Sequence, residues 1–225
     1  MVGQMIRGIA QVVASEGFVL LPKYRLELDT RAAIEEIGVV SIIDGISDIQ
    51  QLRPHSMEAM PPNTYSGNYG LGAFPLHTDL AHWHFPPRYL VLRCLNGAAN
   101  TPTQLFDGNR VVDILGWREL TRAIAQPRRP LNGKRHLLRL LQENPDYGRM
   151  LRWDSIYLRP ATKLGLEIFA EMKSMLAAAS IIQLSLAHPG DTLIIDNWRM
   201  LHGRSTITTS QASRLVERMY LGALK

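Results

Sequence analysis

The sequence predicts a mainly β core decorated by helices. Short runs rich in Val, Ile and Leu recur through its second half, at Tyr89–Leu95, Ile181–Leu186, Thr192–Ile195 and Arg214–Leu221. Segments with helical spacing lie between them, at Val111–Ala125 and Thr162–Ala179. Turn chemistry punctuates the strands, as in Pro189-Gly190-Asp191 between two of them.

Taken in order, Met1–Ser15 carries apolar residues at Ile6, Ile9, Val12 and Val13, a helical period. Phe18–Leu21 is a short buried strand that ends at Pro22. Asp29-Thr30 caps a helix over Arg31–Ile37, which contains Glu35 and Glu36 and stops at Gly38. Val39–Ile43 is strand-like. Gly45–Gly72 has no period and is rich in Pro, Asn, Ser and Gly, as lids and binding loops often are. Tyr89–Leu95 is a strand. Val112, Leu115, Leu120 and Ile124 mark the helix over Val111–Ala125. Leu164, Ile168, Met172 and Met175 line one side of the helix over Thr162–Ala179.

The chain of 225 residues is long enough to bury a full core, and without repeats or a composition break a single domain over 1–225 is expected. The apolar fraction of 46% and charged fraction of 20% are those of an ordinary globular protein. The lone cysteine, Cys94, excludes an internal disulfide framework and suits a reducing, cytoplasmic setting. No apolar run reaches the roughly 18 residues that span a bilayer, and Met1–Leu21 lacks the apolar block of a signal peptide. A net charge of +5 raises nucleic acid or an anionic small molecule as partner. Much of the excess sits in Arg128-Arg129, Lys134-Arg135-His136 and Arg139, read as a solvated basic loop and helix face. No aromatic residues interleave there to stack on bases.

Two distant segments carry the chemistry. His77-Thr78-Asp79 places two ligand types at i and i+2, on one face if they lie on a strand. His82 and His84 follow within eight residues of His77, so a local zinc cluster is an alternative. The second segment is Asp196-Asn197-Trp198-Arg199-Met200-Leu201-His202-Gly203-Arg204, where the Asp-Asn pair is expected to hold the turn that presents His202. Two histidines and a carboxylate bind a metal on one face and leave the opposite face open, as in non-heme Fe(II) oxygenases. Arg214 and Arg218 follow at i and i+4, and a buried arginine requires an anionic partner.

The order His-x-Asp, Pro86-Pro87 before a strand, then Asp-Asn-x-x-x-x-His-Gly-Arg, then Arg214 resembles the iron(II)/2-oxoglutarate dioxygenases of the taurine dioxygenase and clavaminate synthase-like superfamily. The resemblance runs from Tyr65 to the C-terminus. It implies a double-stranded β-helix, or jelly roll, flanked by helices. It implies His77, Asp79 and His202 as ligands of Fe(II), with O2 and 2-oxoglutarate as cosubstrates. Arg214 would bind the distal carboxylate of 2-oxoglutarate, helped by Thr103. Arg218 would lie near the cosubstrate's other end or the substrate. The family usually has two glycines before that threonine; this chain has Asn100-Thr101-Pro102, which makes Thr101 a possible substitute. Asp79 argues for hydroxylation, or a demethylation or cleavage that hydroxylation initiates, since related halogenases carry a small residue there. The implied reaction modifies an unactivated C–H bond of a small, anionic or amino-acid-like substrate and releases succinate and CO2. Tyr65, Asn68, Tyr69, Trp83, Trp198 and Arg218 are candidate substrate contacts by position. A non-catalytic metal-binding jelly roll and an oxygenase acting on nucleic acid are the alternatives. Nothing in the sequence sets an oligomeric state.

Overall fold

The computed structural model describes residues 2–131, 133–144 and 147–225, with side chains from residue 8 onward. In chain order the strands are β1 (Phe18–Leu21), β2 (Gly38–Val40), β3 (Gln50–Leu52), β4 (Phe74–His77), β5 (Tyr89–Asn96), β6 (Thr103–Asp107), β7 (Ile124–Pro127), β8 (Leu138–Arg139), β9 (Leu141–Asn144), β10 (Gly148–Leu151), β11 (Leu158–Pro160), β12 (Ile182–Leu184), β13 (Thr192–Asp196), β14 (Met200–Arg204) and β15 (Leu215–Leu224). The helices are α1 (Val2–Glu16), α2 (Thr30–Ile37), α3 (Tyr65–Tyr69), α4 (Gly108–Leu115), α5 (Trp117–Arg122) and α6 (Lys163–Ala177).

Strand alternation builds the core. Along β5, Leu90, Leu92 and Cys94 point one way and Val91 the other; along β13, Leu193 and Ile195 oppose Ile194. The first set joins Leu105 of β6 and Met200 of β14 in an inner cluster. That cluster joins a sheet ordered β1-β13-β5-β15-β2, with β3 also on β15, to one ordered β12-β6-β14-β4. The second set packs on the outer face against Ile9 and Val13 of α1 and Ala33, Ile34 and Ile37 of α2. Beyond the smaller sheet, Leu76, Phe106 and Leu201 bury against Val111, Leu120, Ile168, Phe169 and Met172 of α4, α5 and α6. All the paired strands are antiparallel. The result is the jelly roll with flanking helices.

Several elements depart from the periodicity. The helix expected over Val111–Ala125 is two, split at Gly116, whose φ of 86° is a left-handed conformation that glycine adopts without strain; Ile124 already belongs to β7. The irregular stretch Gly45–Gly72 holds β3 and the short α3, capped by Thr64. β3 hides from composition because its partner, β15, is distant in sequence and pairs Gln50 with Arg218. β2 ends at Val40, and Ile43 makes only an isolated bridge to Ile46. Gly38 ends α2 in extended backbone, where a Cβ would lie 2.4 Å from the Ala223 carbonyl oxygen. Among its described residues, the basic stretch 128–139 forms a Leu131–Lys134 bridge and β8 and no helix, which corrects the expected helix face. The Ile6 side chain lies outside the described residues. No described helix is long and apolar enough to cross a membrane.

Candidate metal centre and its cavity

β4 and β14 are neighbours in the smaller sheet, and their register sets His77 opposite His202. The two rings lie 4.5 Å apart. Gly203 permits this approach, since a Cβ there would stand 2.6 Å from the Phe74 carbonyl oxygen. Asp79 completes the group from outside the strand, which ends at His77; the expected strand-borne i, i+2 pair is corrected to a strand residue and a turn residue. The turn is fixed at three points. The Thr78 amide donates to the Trp153 carbonyl (2.8 Å), Leu80 takes a φ of 56°, and Asn197 clamps Asp79. Asn197 Oδ1 accepts from the Asp79 amide (2.7 Å), and its Nδ2 donates to the carbonyls of Asp79 and Pro87. Asp196 Oδ1 accepts from the Trp198 amide, holding the turn before β14.

Asp79 Oδ1 lies 3.4 Å from His77 Nε2 and 3.6 Å from His202 Nε2. Ligand atoms of the three residues all fall within 4.8 Å of one another, and all three residues are buried. His77 Nδ1 donates to the Pro75 carbonyl (2.8 Å), which leaves the Nε2 lone pair facing the centre. Asp79 Oδ2 accepts from Arg218 Nη1 and from the Tyr220 hydroxyl, each at 2.9 Å, so Oδ1 alone is free to ligate. Burial opposes ionisation of Asp79, but the Arg218 charge and the two histidines outweigh it and hold its pKa well below the ordinary carboxylate range. Burial opposes protonation of His77, which Asp79 more than offsets, raising its pKa. His202 is pushed down by burial and by the His77 charge. Two imidazole nitrogens and one carboxylate oxygen converging from one side fit a divalent transition metal with open positions.

The centre opens into a cavity of about 470 Å³. Arg214 lines it, 6% exposed, with its Nε unpartnered and its pKa lowered by burial. It precedes β15 and is not in it; a register shift between Leu215 and Val216 separates it from the ladder that carries Arg218. Thr103 lines the cavity from β6, buried and paired with Arg204 in the β6–β14 register. Thr101 donates to Gln211 Oε1 (2.7 Å) and does not line the cavity. Arg218 lines it as well, and donates from Nη1 to Asp79 Oδ2 and from Nη2 to Gln50 Oε1.

The positional candidates separate. Tyr65 lines the cavity, stacks on His77 at 4.2 Å and donates its hydroxyl to Asp154 Oδ2 (2.9 Å). Asn68 caps the backbone at Pro62 and Thr64, and Tyr69 packs on Tyr65 and Phe74; neither lines the cavity. Trp83 and Trp198 line a second hollow of about 360 Å³, because the turn at Leu80 sends His82 inward and Trp83 to the other side. His82 lines the main cavity with its Nδ1 buried and unpartnered, and burial pushes its pKa down to about 4. His84 packs on His136, so no local four-residue cluster forms; among the described residues the metal-competent group is His77, Asp79 and His202. Sequence reasoning passed over Tyr220, Asp154, Tyr157 and Arg204. Tyr220 was within reach, since it shares the Arg218 face of β15 at i+2. Asp154 carried no local signal.

A family model described as "Taurine catabolism dioxygenase TauD, TfdA family" matches residues 4–220. No curated protein matches the sequence. Among solved structures, an asparagine oxygenase complexed with Fe(II), 2S,3S-3-hydroxyasparagine and succinate is similar at 19% identity with a TM-score of 0.72, covering 97% of this chain and 79% of that one. The PvcB protein from Pseudomonas aeruginosa aligns at 17% identity and a TM-score of 0.69, over 97% and 80% of the two chains. The non-heme iron oxygenase OrfP with Fe and alpha-ketoglutaric acid aligns at 14% and 0.68, over 97% and 79%. At such identities these likenesses speak for the fold.

Proposed function

This chain belongs to the TauD, TfdA dioxygenase family, and on that premise we propose that it is an Fe(II)- and 2-oxoglutarate-dependent oxygenase acting on a small anionic or amino-acid-like substrate. His77, Asp79 and His202 hold the metal. Arg214, with Thr103 beside it, holds the distal carboxylate of 2-oxoglutarate. The observation that carries this reading is Arg214, a buried guanidinium without an anionic partner among the described residues, in the cavity that contains the metal-competent group. Such a charge is costly alone, and a dicarboxylate cosubstrate supplies the missing anion through paired hydrogen bonds.

When bound, the iron and its cosubstrate supply the oxidising power that inserts oxygen into a C–H bond, with succinate and CO2 released. The protein's share is positioning. Tyr220 and Arg218 fix Asp79 with one oxygen forward; Pro75 fixes the His77 tautomer; Asn197 keeps the two ligand segments together. Arg218 also faces the substrate space, where it favours an anionic group. Amino-acid-like substrates are supported by the hydroxyasparagine in the asparagine oxygenase complex. The same proposal includes one domain over the whole chain, a reducing cytoplasmic setting and a small molecule in preference to nucleic acid as substrate; none of the described residues of the stretch 128–139 lines the cavity.

The test is an anaerobic titration of the Fe(II)-loaded protein with 2-oxoglutarate. A weak visible charge-transfer band, followed on air by succinate release, is expected. Binding of 2-oxoglutarate without that band would place the cosubstrate off the metal and return the protein to a binding role.

A further inference from the structure

Among the described residues, Arg214 is one of two buried Asp or Arg side chains lining the cavity that form no salt bridge. The other is Asp154, 1% exposed. Its Oδ1 accepts from the Ile156 and Tyr157 amides, each at 2.7 Å, and its Oδ2 from the Tyr65 hydroxyl. These three donors are all neutral, and they leave a lone-pair site on Oδ2. No cationic side chain among the described residues forms a salt bridge with it.

The charges that line the cavity sharpen the point. Arg53, Arg204, Arg214 and Arg218 stand against Asp79 and Asp154. Asp79 is committed to the metal, Arg218 and Tyr220. Asp154 is then the one lining carboxylate, among the described residues, with no cation of its own. Tyr65 sets its place: the ring lies on His77 and the hydroxyl reaches Asp154, so the carboxylate sits about one phenol length from a metal ligand. Beside it His82 offers a buried nitrogen without a partner, its ring 5.0 Å from that of Tyr157. A turn at Ile156 and Tyr157 needs only Oδ1. Oδ2 holds the Tyr65 hydroxyl, and its second lone-pair site has no partner among the described residues of the cavity that Asp154 lines.

We propose that Asp154 docks a protonated nitrogen of the primary substrate, so that the substrate carries an ammonium, amidinium or guanidinium group close to the carbon that is oxidised. This rests on the oxygenase reading and deepens it. A fixed buried carboxylate repels a purely anionic substrate, whereas a cation in this water-poor corner offsets the cost of burying the carboxylate.

Matched probes test it on the Ni(II)-loaded protein with 2-oxoglutarate bound, read by calorimetry: L-arginine against L-citrulline, L-lysine against L-norleucine, and L-asparagine against succinamate, which lacks the ammonium group. In at least one pair the cationic member is expected to bind 10-fold tighter or more. Asp154→Asn keeps the Oδ1 acceptor and the volume, and is expected to erase that preference while 2-oxoglutarate affinity and melting temperature stay put. Equal or better binding of the less cationic member in every pair, absence of binding by every cationic probe, or a preference that survives Asp154→Asn overturns the proposal. The 2-oxoglutarate affinity of the wild type separates the two readings: its loss defeats the oxygenase reading and this one together, whereas its presence without a cation preference defeats only this one.

Discussion

At one end of the cavity His77 and His202 face each other across the β4–β14 ladder, and Thr103 lies on the adjoining β6. Against it, with Tyr65 stacked on His77, lies a loop end: Tyr65, His82, Asp154 and Tyr157 arrive on a five-residue helix and on turns. The ladder end is fixed by backbone pairing within the sheet, so its side chains keep their spacing without help from one another. The loop end is held by side chains: Tyr65 by Asp154, and the His82 turn by Arg152, which donates to the carbonyls of Ala81, Trp83 and His84. Two members of the metal-competent group and Thr103 therefore sit on paired strands, whereas Asp79 and Arg214 reach the same cavity from a turn and from just before β15; on the proposed reading, substrate selection falls to the loop end, which can be rebuilt without disturbing the ladder.

The sharpest way to break this division is at the ladder. His202→Ala is expected to abolish succinate release and weaken Fe(II) binding by more than about 100-fold, beyond what loss of an outer-shell partner costs. Its far-UV circular dichroism should match the wild type. Unfolding of the variant would show that the ladder end depends on its ligands after all.

Next comes the cosubstrate. Arg214→Ala should raise the KM for 2-oxoglutarate by roughly 30-fold or more, the equivalent of about 2 kcal/mol for removing one partner of a buried charge pair. Lysine should recover only part of it, because an ammonium lacks the planar fork. An unchanged KM in Arg214→Ala would detach the cosubstrate from this residue.

Tyr220→Phe removes one hydrogen bond to Asp79 Oδ2 and nothing else from the cavity wall. Fe(II) affinity should fall by about 10-fold, measured by metal titration, with the KM for 2-oxoglutarate nearly unchanged. A change confined to the cosubstrate would mean that Tyr220 serves the cavity and not the metal.

The smallest expected effect lies at the loop end. Burial lowers the His82 pKa to about 4, below the roughly 6.5 of an unfolded chain. The unfolded state therefore binds more protons between these values. The stability this neutral histidine allows is complete above pH 6.5 and declines as pH falls toward 4. His82→Gln should flatten part of the fall in melting temperature over that window, leaving the metal affinity at pH 7.5 as it was. An identical pH profile in the variant would assign the acid sensitivity elsewhere.

Much of the ladder end was legible in the chain. Asp-Asn-x-x-x-x-His-Gly-Arg, His-x-Asp and Arg214 are local patterns, and the alternation along β5 and β13 is visible as Val, Leu and Ile runs. β3 was not legible, because Gln50-Gln51-Leu52 becomes a strand only through its pairing with Val216–Arg218, more than 160 residues away. The break at Gly116 was hidden because apolar spacing continues across it, although the glycine itself was the clue. Trp83 and Trp198 looked like pocket residues by proximity to the ligands. A single left-handed residue, Leu80, turns the first away, and the indole of the second is spent on the Pro86 carbonyl.

The sequence by itself determined the residue types able to bind a metal, their order, and the strand and helix periods that bury the core, because each depends on neighbours a few residues apart. Tertiary structure alone decided that Asp79 joins His77 and His202 from a turn, that Tyr220 and Arg218 share its second oxygen, and that Asp154 stands beside Tyr65 without a salt-bridge partner among the described residues. Those facts depend on which distant segments are brought into hydrogen-bonding range, and burial, which exists only once the chain is folded, gives a lone carboxylate its chemical meaning.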